Sequence, residues 1–254
     1  MALQHVEAVM GTMVSIDIVD ASEPTLIDML VSWFHHVDAV FSPYKEDSTI
    51  TQIGRGDMRI NDASPEVQQV LTRCNELVGE TRGIFDVWAI PAPNGTRFDP
   101  CGYVKGWSVQ LAASLLEARG AHHFLLNAGG DIAVRGAHHE SRPWRVGIRH
   151  PGGSDCLALT LQAHGNFGIA TSGSYERGAH IFDPRTGQPS IDIASATVVG
   201  HNLADADAYA TTLAVLGVDG LQWLAERVGY SGCVITADGL IHSTDEFDQY
   251  VLRS

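Results

Sequence analysis

The chain has 254 residues, 44% of them hydrophobic, and a formal net charge of −14 from 30 acidic against 16 basic residues. That length and apolar fraction allow one large domain over residues 1–254 with a full core, while the acidic balance, with no Lys/Arg cluster, excludes a phosphate-backbone surface and so nucleic acid as a partner. Four cysteines, Cys74, Cys101, Cys156 and Cys233, form no C-x-x-C pair and suggest neither a zinc knuckle nor a disulfide scaffold. With no apolar run of about 18 residues or more and no export signal in the sequence as given, a reduced, cytoplasmic protein without membrane insertion is expected.

In chain order, Thr12 to Val19 alternates with Val14, Ile16 and Ile18 on one face, the period of a half-buried strand. Ser22 and Pro24 open a helix whose stripe is Leu26, Ile27, Leu30, Trp33, Phe34, Val37 and Phe41. His35 and His36 fall in or beside that stripe and read as packing or solvent-facing groups. A polar turn from Phe41 to Ser48 carries Tyr44. A second helix starts at Ser64-Pro65, presents Val67, Val70, Leu71, Cys74, Leu77 and Val78, and stops before Gly83.

The segment after Gly83 loses its period and then enters a helix with Val104, Trp107, Leu111 and Leu115 inward, closing at Gly120. Asp99 stands just before it, placed to cap free N–H groups or to help hold an anionic ligand there. Phe124 to Val134 reads as strand, Gly-Gly turn, strand, without a dinucleotide-binding or P-loop glycine pattern. Further strands are expected at Trp144 to Arg149, Leu157 to Leu161, Ile191 to Val199 and Cys233 to Thr236, with a helix at Leu221 to Val228. Strands that follow one another in sequence favour an α+β fold with a mainly antiparallel sheet over a doubly wound parallel one.

Two stretches hold chemistry-bearing side chains. Ala170 to Gly187, A-T-S-G-S-Y-E-R-G-A-H-I-F-D-P-R-T-G, gathers hydroxyls, an imidazole, two carboxylates and two guanidiniums. Its Asp183-Pro184-Arg185-Thr186-Gly187 segment fits a type I turn, so a solvated hairpin loop competes with a functional one. The helix from Leu203 to Gly217 places Asp207 and Thr211 four apart on one face. An acid and a hydroxyl there suit a hard cation such as Mg²⁺, or equally a dipole partner and a hydroxyl bonded to its own helix backbone.

Eight segments, in order, resemble the ApbE family of FAD:protein FMN transferases. They are M-G-T-M-V from Met10, F-S-P-Y-K-E-D-S-T-I from Phe41, G-I-F-D-V from Gly83, D-P-C-G-Y-V-K-G from Asp99, N-A-G-G-D-I from Asn127, the two halves of the Ala170–Gly187 stretch, and A-D-A-Y-A-T-T-L-A-V-L-G from Ala206. The resemblance implies FAD contacts at Met10, Tyr44, Phe85, Asp86, Asp99, Lys105 and His180. It also implies Mg²⁺ ligands at the Gly102 carbonyl, Asp207 and Thr211, and Thr171, Ser172 and His180 lining the reacting pyrophosphate, with His180 taking the proton of the attacking hydroxyl. The implied partners are FAD as substrate and an acceptor flavoprotein bearing a D-x-x-S/T-G-A-T threonine, the chain itself being a monomer or homodimer. A Mg²⁺-dependent FAD pyrophosphatase and a non-catalytic FAD-binding protein are the alternative readings.

Several positions depart from the family pattern. Trp88 replaces the usual Thr after F-D-V, the loop before Asp99 is short, and Pro100-Cys101 stands where Leu-Gly is usual, so a reshaped flavin pocket is expected. D-I-A-S-A-T at Asp192 to Thr197 is similar to the acceptor motif itself. It is one residue short and alternates like a strand, and self-modification is set aside.

Overall fold

The computed structural model describes residues 2–92, 95–139, 142–152, 156–163, 165–173 and 181–253. Strands β1 (Leu3–Val9) and β2 (Thr12–Ile18) form a hairpin and lead into α1 (Thr25–Phe41), α2 (Thr49–Arg55) and α3 (Pro65–Glu80). A small ribbon, β3 (Ile90–Ala92) and β4 (Gly95–Arg97), precedes α4 (Cys101–Glu117). Strands β5 (Phe124–Ala128), β6 (Asp131–Arg135), β7 (Trp144–Arg149), β8 (Leu157–Ala163) and β9 (Phe167–Gly173) follow. After the short strands β10 (Phe182–Asp183) and β11 (Gln188–Pro189) come β12 (Ile193–Gly200), α5 (Leu203–Leu216), α6 (Gly220–Ala225), β13 (Tyr230–Thr236) and β14 (Ile241–Ser243).

Eight strands make one sheet in the order β1-β2-β5-β6-β9-β12-β13-β14, and every neighbouring pair is antiparallel. The α+β, mainly antiparallel expectation holds. Side chains alternate across the sheet, and each face builds its own core. Val14, Ile16, Leu126, Ala133, Ala170, Ala196, Val198 and Val234 face the helices. Ile132, Val134, Ile169, Val199, Cys233 and Ile235 face the β7–β8 hairpin, meeting Trp144, Val146, Ile148, Leu161 and Phe247.

The helices form where the apolar spacing places them, with two corrections: Leu115 of α4 is exposed rather than inward, and α6 ends at Ala225, leaving Val228 exposed beyond it. In α1, Leu26, Leu30, Phe34, Val37 and Phe41 are buried, and in α3, Val67, Val70, Leu71, Cys74 and Leu77. His35 and His36 are exposed, paired with Glu7 and Glu66 at 2.9 Å each, which is the solvent-facing reading. Strand β1, helix α2 and strand β9 were not foreseen; Ser48 caps α2 by accepting from the Thr51 N–H at 3.0 Å. Strand β12 begins at Ile193, leaving Ile191 outside and exposed. All four cysteines are free thiols. Among the described residues no helix is long and apolar enough to cross a membrane.

Candidate functional site

The first turns of α4 and the first half of α5 approach unusually closely, and two glycines of α4 permit it. A Cβ on Gly106 would lie 2.7 Å from the Leu203 carbonyl oxygen and 2.8 Å from Asp207 Cβ, and one on Gly102 would lie 3.6 Å from Thr211 Oγ1. Helix α5 starts cleanly because the Asn202 side chain accepts from the Ala204 and Asp205 N–H groups. Its first turns therefore present Asp207 and Thr211 to α4 in a fixed register.

There the Gly106 N–H donates to Asp207 Oδ2 at 3.0 Å. In a regular helix that N–H points at the carbonyl four residues back, here Gly102, so the Asp207 carboxylate draws on the donor that serves the Gly102 carbonyl. Thr211 Oγ1 meets Ser172 Oγ at 3.1 Å, whereas the neighbouring Thr212 bonds back to its own helix through the Ala208 carbonyl. The Thr211 hydroxyl thus reaches across to strand β9, unlike the hydroxyl of Thr212. Asp207 is buried, and burial first, then the negative charge of Asp131, pushes its carboxyl well above the usual range; Lys105 and the Gly106 N–H act in the opposite sense. Lys105 Nζ is ion-paired with Asp131 Oδ2, and Asp131 is fully buried.

Around this centre lie the turns at one end of the sheet. Met10 has φ 54 and Gly11 φ 67 in the β1–β2 turn, and a positive φ at a non-glycine residue is a strained choice that accompanies functional turns. Met10 Sδ accepts from Ser108 Oγ at 3.8 Å, and that hydroxyl also reaches the Lys105 carbonyl at 2.8 Å, so the turn abuts α4. Phe85 is buried, with its ring 3.3 Å from where a Gly102 Cβ would be. Asp86 Oδ1 accepts from the Trp88 N–H at 2.9 Å. Asp99 accepts from the Cys101 N–H at 3.0 Å and from Arg97 Nη2 at 2.9 Å, so both its oxygens are engaged and it acts as a cap. Tyr44 is 72% exposed, with the Arg97 guanidinium 5.7 Å from its ring centre. Trp88 stacks on Phe98 at 3.9 Å and 13° between planes, an exposed aromatic surface beside Arg97.

The structure brings Gly102, Lys105, Asp207, Thr211, Ser172 and Phe85 together. It does not bring Thr171 to them: its hydroxyl pairs with Thr197 at 2.9 Å on the hairpin face of the sheet. His180 lies outside the described residues, as do Ser174, Tyr175 and Arg177. The Asp183 turn forms as expected, the Thr186 N–H donating to the Asp183 carbonyl at 3.2 Å and the Gly187 N–H to the same carbonyl at 2.7 Å, and Arg185 closes onto the Asp183 carboxylate at 2.7 Å. Thr197 sits in the central strand β12 and is 1% exposed, which makes it inaccessible as an acceptor.

Sequence reasoning missed two features. Asp131 stands in N-A-G-G-D-I with no role read from it, although a carboxylate opening an apolar strand after a Gly-Gly turn is a usable signal. Arg73 was missed entirely: it joins Glu76 (2.9 Å), Glu80 (2.6 Å) and Asp205 (3.0 Å), tying α3 to the first turn of α5.

No cluster of three or more His, Cys, Asp or Glu suited to a metal occurs among the described residues. What the α4–α5 contact offers instead is oxygen from a carboxylate, two hydroxyls and a helix carbonyl. That donor set suits a hard cation.

An α+β protein with an oxygen-lined site between two helices is the class so defined. Its architecture is shared by the flavin transferase ApbE from Vibrio cholerae, 22% identical, with a TM-score of 0.84 over 98% of this chain and 99% of that one. The ApbE protein of Thermotoga maritima is 21% identical, with a TM-score of 0.87 over the whole of both chains. The ApbE family model matches residues 10–92 and 90–234, and the chain belongs to the ApbE family. It is 31% identical over 233 residues to a FAD:protein FMN transferase of Rhodobacter capsulatus, covering 88% of this chain and 40% of that protein. A FAD:protein FMN transferase of Escherichia coli K12 is 33% identical over 144 residues, 53% of this chain and 41% of the relative. The chain thus spans about two fifths of the length of these curated relatives.

Proposed function

We propose that this chain is a Mg²⁺-dependent FAD:protein FMN transferase, organised as one domain over residues 1–254. The observation that carries the reading is the oxygen cluster at the α4–α5 contact, where Asp207, Thr211 and Ser172 converge beside Gly102 in an otherwise apolar helix packing. Asp207, Thr211 and the Gly102 carbonyl would hold the cation. Bound there, Mg²⁺ supplies charge neutralisation on the pyrophosphate oxygens of FAD during in-line displacement.

The remaining work falls to side chains. Lys105 faces the phosphates as a point charge. Tyr44, Met10, Phe85 and Asp86 border the flavin end, where the stacked Trp88–Phe98 pair would reshape the pocket. Asp99 holds the start of α4 in place. The threonine Oγ of an acceptor protein attacks the phosphorus on the FMN side, the bond from that phosphorus to the bridging oxygen breaks, and AMP leaves. His180 takes the hydroxyl proton.

The test is incubation with FAD, Mg²⁺ and a domain bearing the D-x-x-S/T-G-A-T segment. AMP release matched by covalent flavin fluorescence on the acceptor is the expected result. AMP without labelled acceptor makes the protein a pyrophosphatase, and bound FAD without AMP makes it a binding protein.

A further inference from the structure

The cluster contains one residue to which no role has been given. Asp131 opens β6 directly after a turn in which Gly129 and Gly130 have φ 55 and 96, and the Gly130 N–H donates to Asn127 Oδ1 at 3.0 Å. The carboxylate is thus set by the sheet itself, with no flexible arm between it and the turn. It is 0% exposed; Oδ2 receives Lys105, and Oδ1 is buried with no hydrogen-bond partner among the described residues. Buried carboxylate oxygens are rarely left without a donor or a cation, because desolvation penalises the charge. The Lys105 that Asp131 pairs with directly precedes Gly106, whose N–H donates to Asp207 Oδ2 at 3.0 Å, so the two carboxylates flank the same turn of α4. With both carboxylates ionised, two of them against one ammonium leave the cluster one negative charge in excess, which suits a divalent cation better than either carboxylate alone does.

Resting on the reading given under Proposed function, we propose that Asp131 is a positioning residue of this site. It fixes the Lys105 ammonium beside the cation ligands and supplies the second negative charge that draws a divalent cation to Asp207. Lys105 has a long, rotatable stem and is 22% exposed on its side chain; its placement depends on the carboxylate it pairs with. Asp131 acts through Lys105 and through the field at Asp207. An ordinary structural ion pair would support the fold without touching either.

The experiment uses the full chain and four variants, Asp131→Asn, Lys105→Met, their double, and Asp207→Asn. Mg²⁺ is titrated by thermal shift without FAD, and FAD is titrated by flavin fluorescence. Asp131→Asn is expected to melt cooperatively and to bind Mg²⁺ about 10–100-fold more weakly, the usual cost of losing a residue that supports metal ligands. Lys105→Met should weaken FAD roughly tenfold in the native background and less than about twofold once Asp131 is Asn, because coupled residues do not add. Native Mg²⁺ and FAD affinities in Asp131→Asn, or additive effects in the double variant, would overturn the proposal. If Asp131→Asn does not fold, Lys105→Met decides: removing the ammonium should tighten Mg²⁺ binding in the absence of FAD, and unchanged or weaker binding would count against it. Asp207→Asn separates the two levels. Loss of Mg²⁺ binding there with retention in Asp131→Asn defeats this inference alone, whereas retention in Asp207→Asn defeats the reading of the site.

Discussion

Replacing Gly106 by Ala adds one methyl where two helices have no room for it. Its Cβ would stand 2.7 Å from the Leu203 carbonyl oxygen, 2.8 Å from Asp207 Cβ and 3.2 Å from Ala204 Cα, two of which are backbone atoms that cannot rotate away. Helix α5 must shift by several tenths of an ångström or more, taking Asp207 from the Gly106 N–H that it now meets at 3.0 Å. Overpacking costs about 1–3 kcal/mol and a lost charge-assisted hydrogen bond a similar amount, while the gain in helix propensity from Gly to Ala returns only about 1 kcal/mol. The net expectation is roughly 2–5 kcal/mol of destabilisation, or a melting temperature lower by about 5–15 °C for a chain of this size. Because the shift displaces a cation ligand, turnover should fall about 100-fold, the scale associated with a 1 Å misplacement. Differential scanning fluorimetry and an AMP-release assay read the two effects. A variant that melts higher than the native chain, with full turnover, would show that propensity outweighs contact and would refute the reasoning.

Asp207→Ala should abolish Mg²⁺-dependent turnover without lowering the melting temperature of the metal-free protein; the native chain should gain about 2.7 kcal/mol at a hundredfold excess of Mg²⁺ over Kd, and the variant nothing. His180→Asn should leave FAD and Mg²⁺ binding intact while slowing FMN transfer roughly 10²–10⁴-fold, and parallel loss of FAD binding, read by flavin titration, would assign it a structural role instead. Glu80 accepts from Arg73 and from the Tyr209 hydroxyl at 2.9 Å, and these bonds hold its carboxyl below the usual value of 4.5. The folded chain therefore binds this proton less readily than the unfolded one, so the contribution is full above pH 4.5 and is lost as pH falls through the lower, folded value. Glu80→Gln should be less stable at pH 7 and lose less on acidification; equal losses in melts at pH 7 and pH 3 would remove Glu80 from the acid response.

Much of the fold was legible because its signals are local. The three-and-four spacing of α1 and α3, the alternation of β2 and the Gly-Gly turn of β5–β6 each declare themselves within a dozen or so residues. Strand β9 did not, since Gly168 and the hydroxyls of Thr171 and Ser172 make it resemble a loop. Gly168 is there for packing: a Cβ would come within 2.6 Å of Leu203 Cβ. Strand β1 hides its pattern because two of its half-buried positions are His5 and Glu7, which pair with each other at 3.0 Å. At the site, Asp207 and Thr211 were readable as one helical face. The partners that give them meaning, Gly106 and Ser172, are 101 and 39 residues away in sequence, and the Arg73 link to Asp205 spans 132. Periodicity carries no information about such pairs.

Thr171 and Ser172 are chemically near-equivalent neighbours, yet the pleat sends one hydroxyl to Thr197 beneath the sheet and the other to Thr211 above it. Their histories of substitution can therefore run separately. Among the described residues the Thr171 hydroxyl meets the cross-strand Thr197, which also engages the Cys233 thiol, so exchanging Thr171 and Thr197 together for apolar residues of the same shape is expected to bear on sheet packing and little on catalysis. Position 172 answers to the helix that bears Asp207 and has no such freedom. Two adjacent letters of the chain are in this way governed by different parts of the molecule, one by how the sheet packs and the other by what the site must hold.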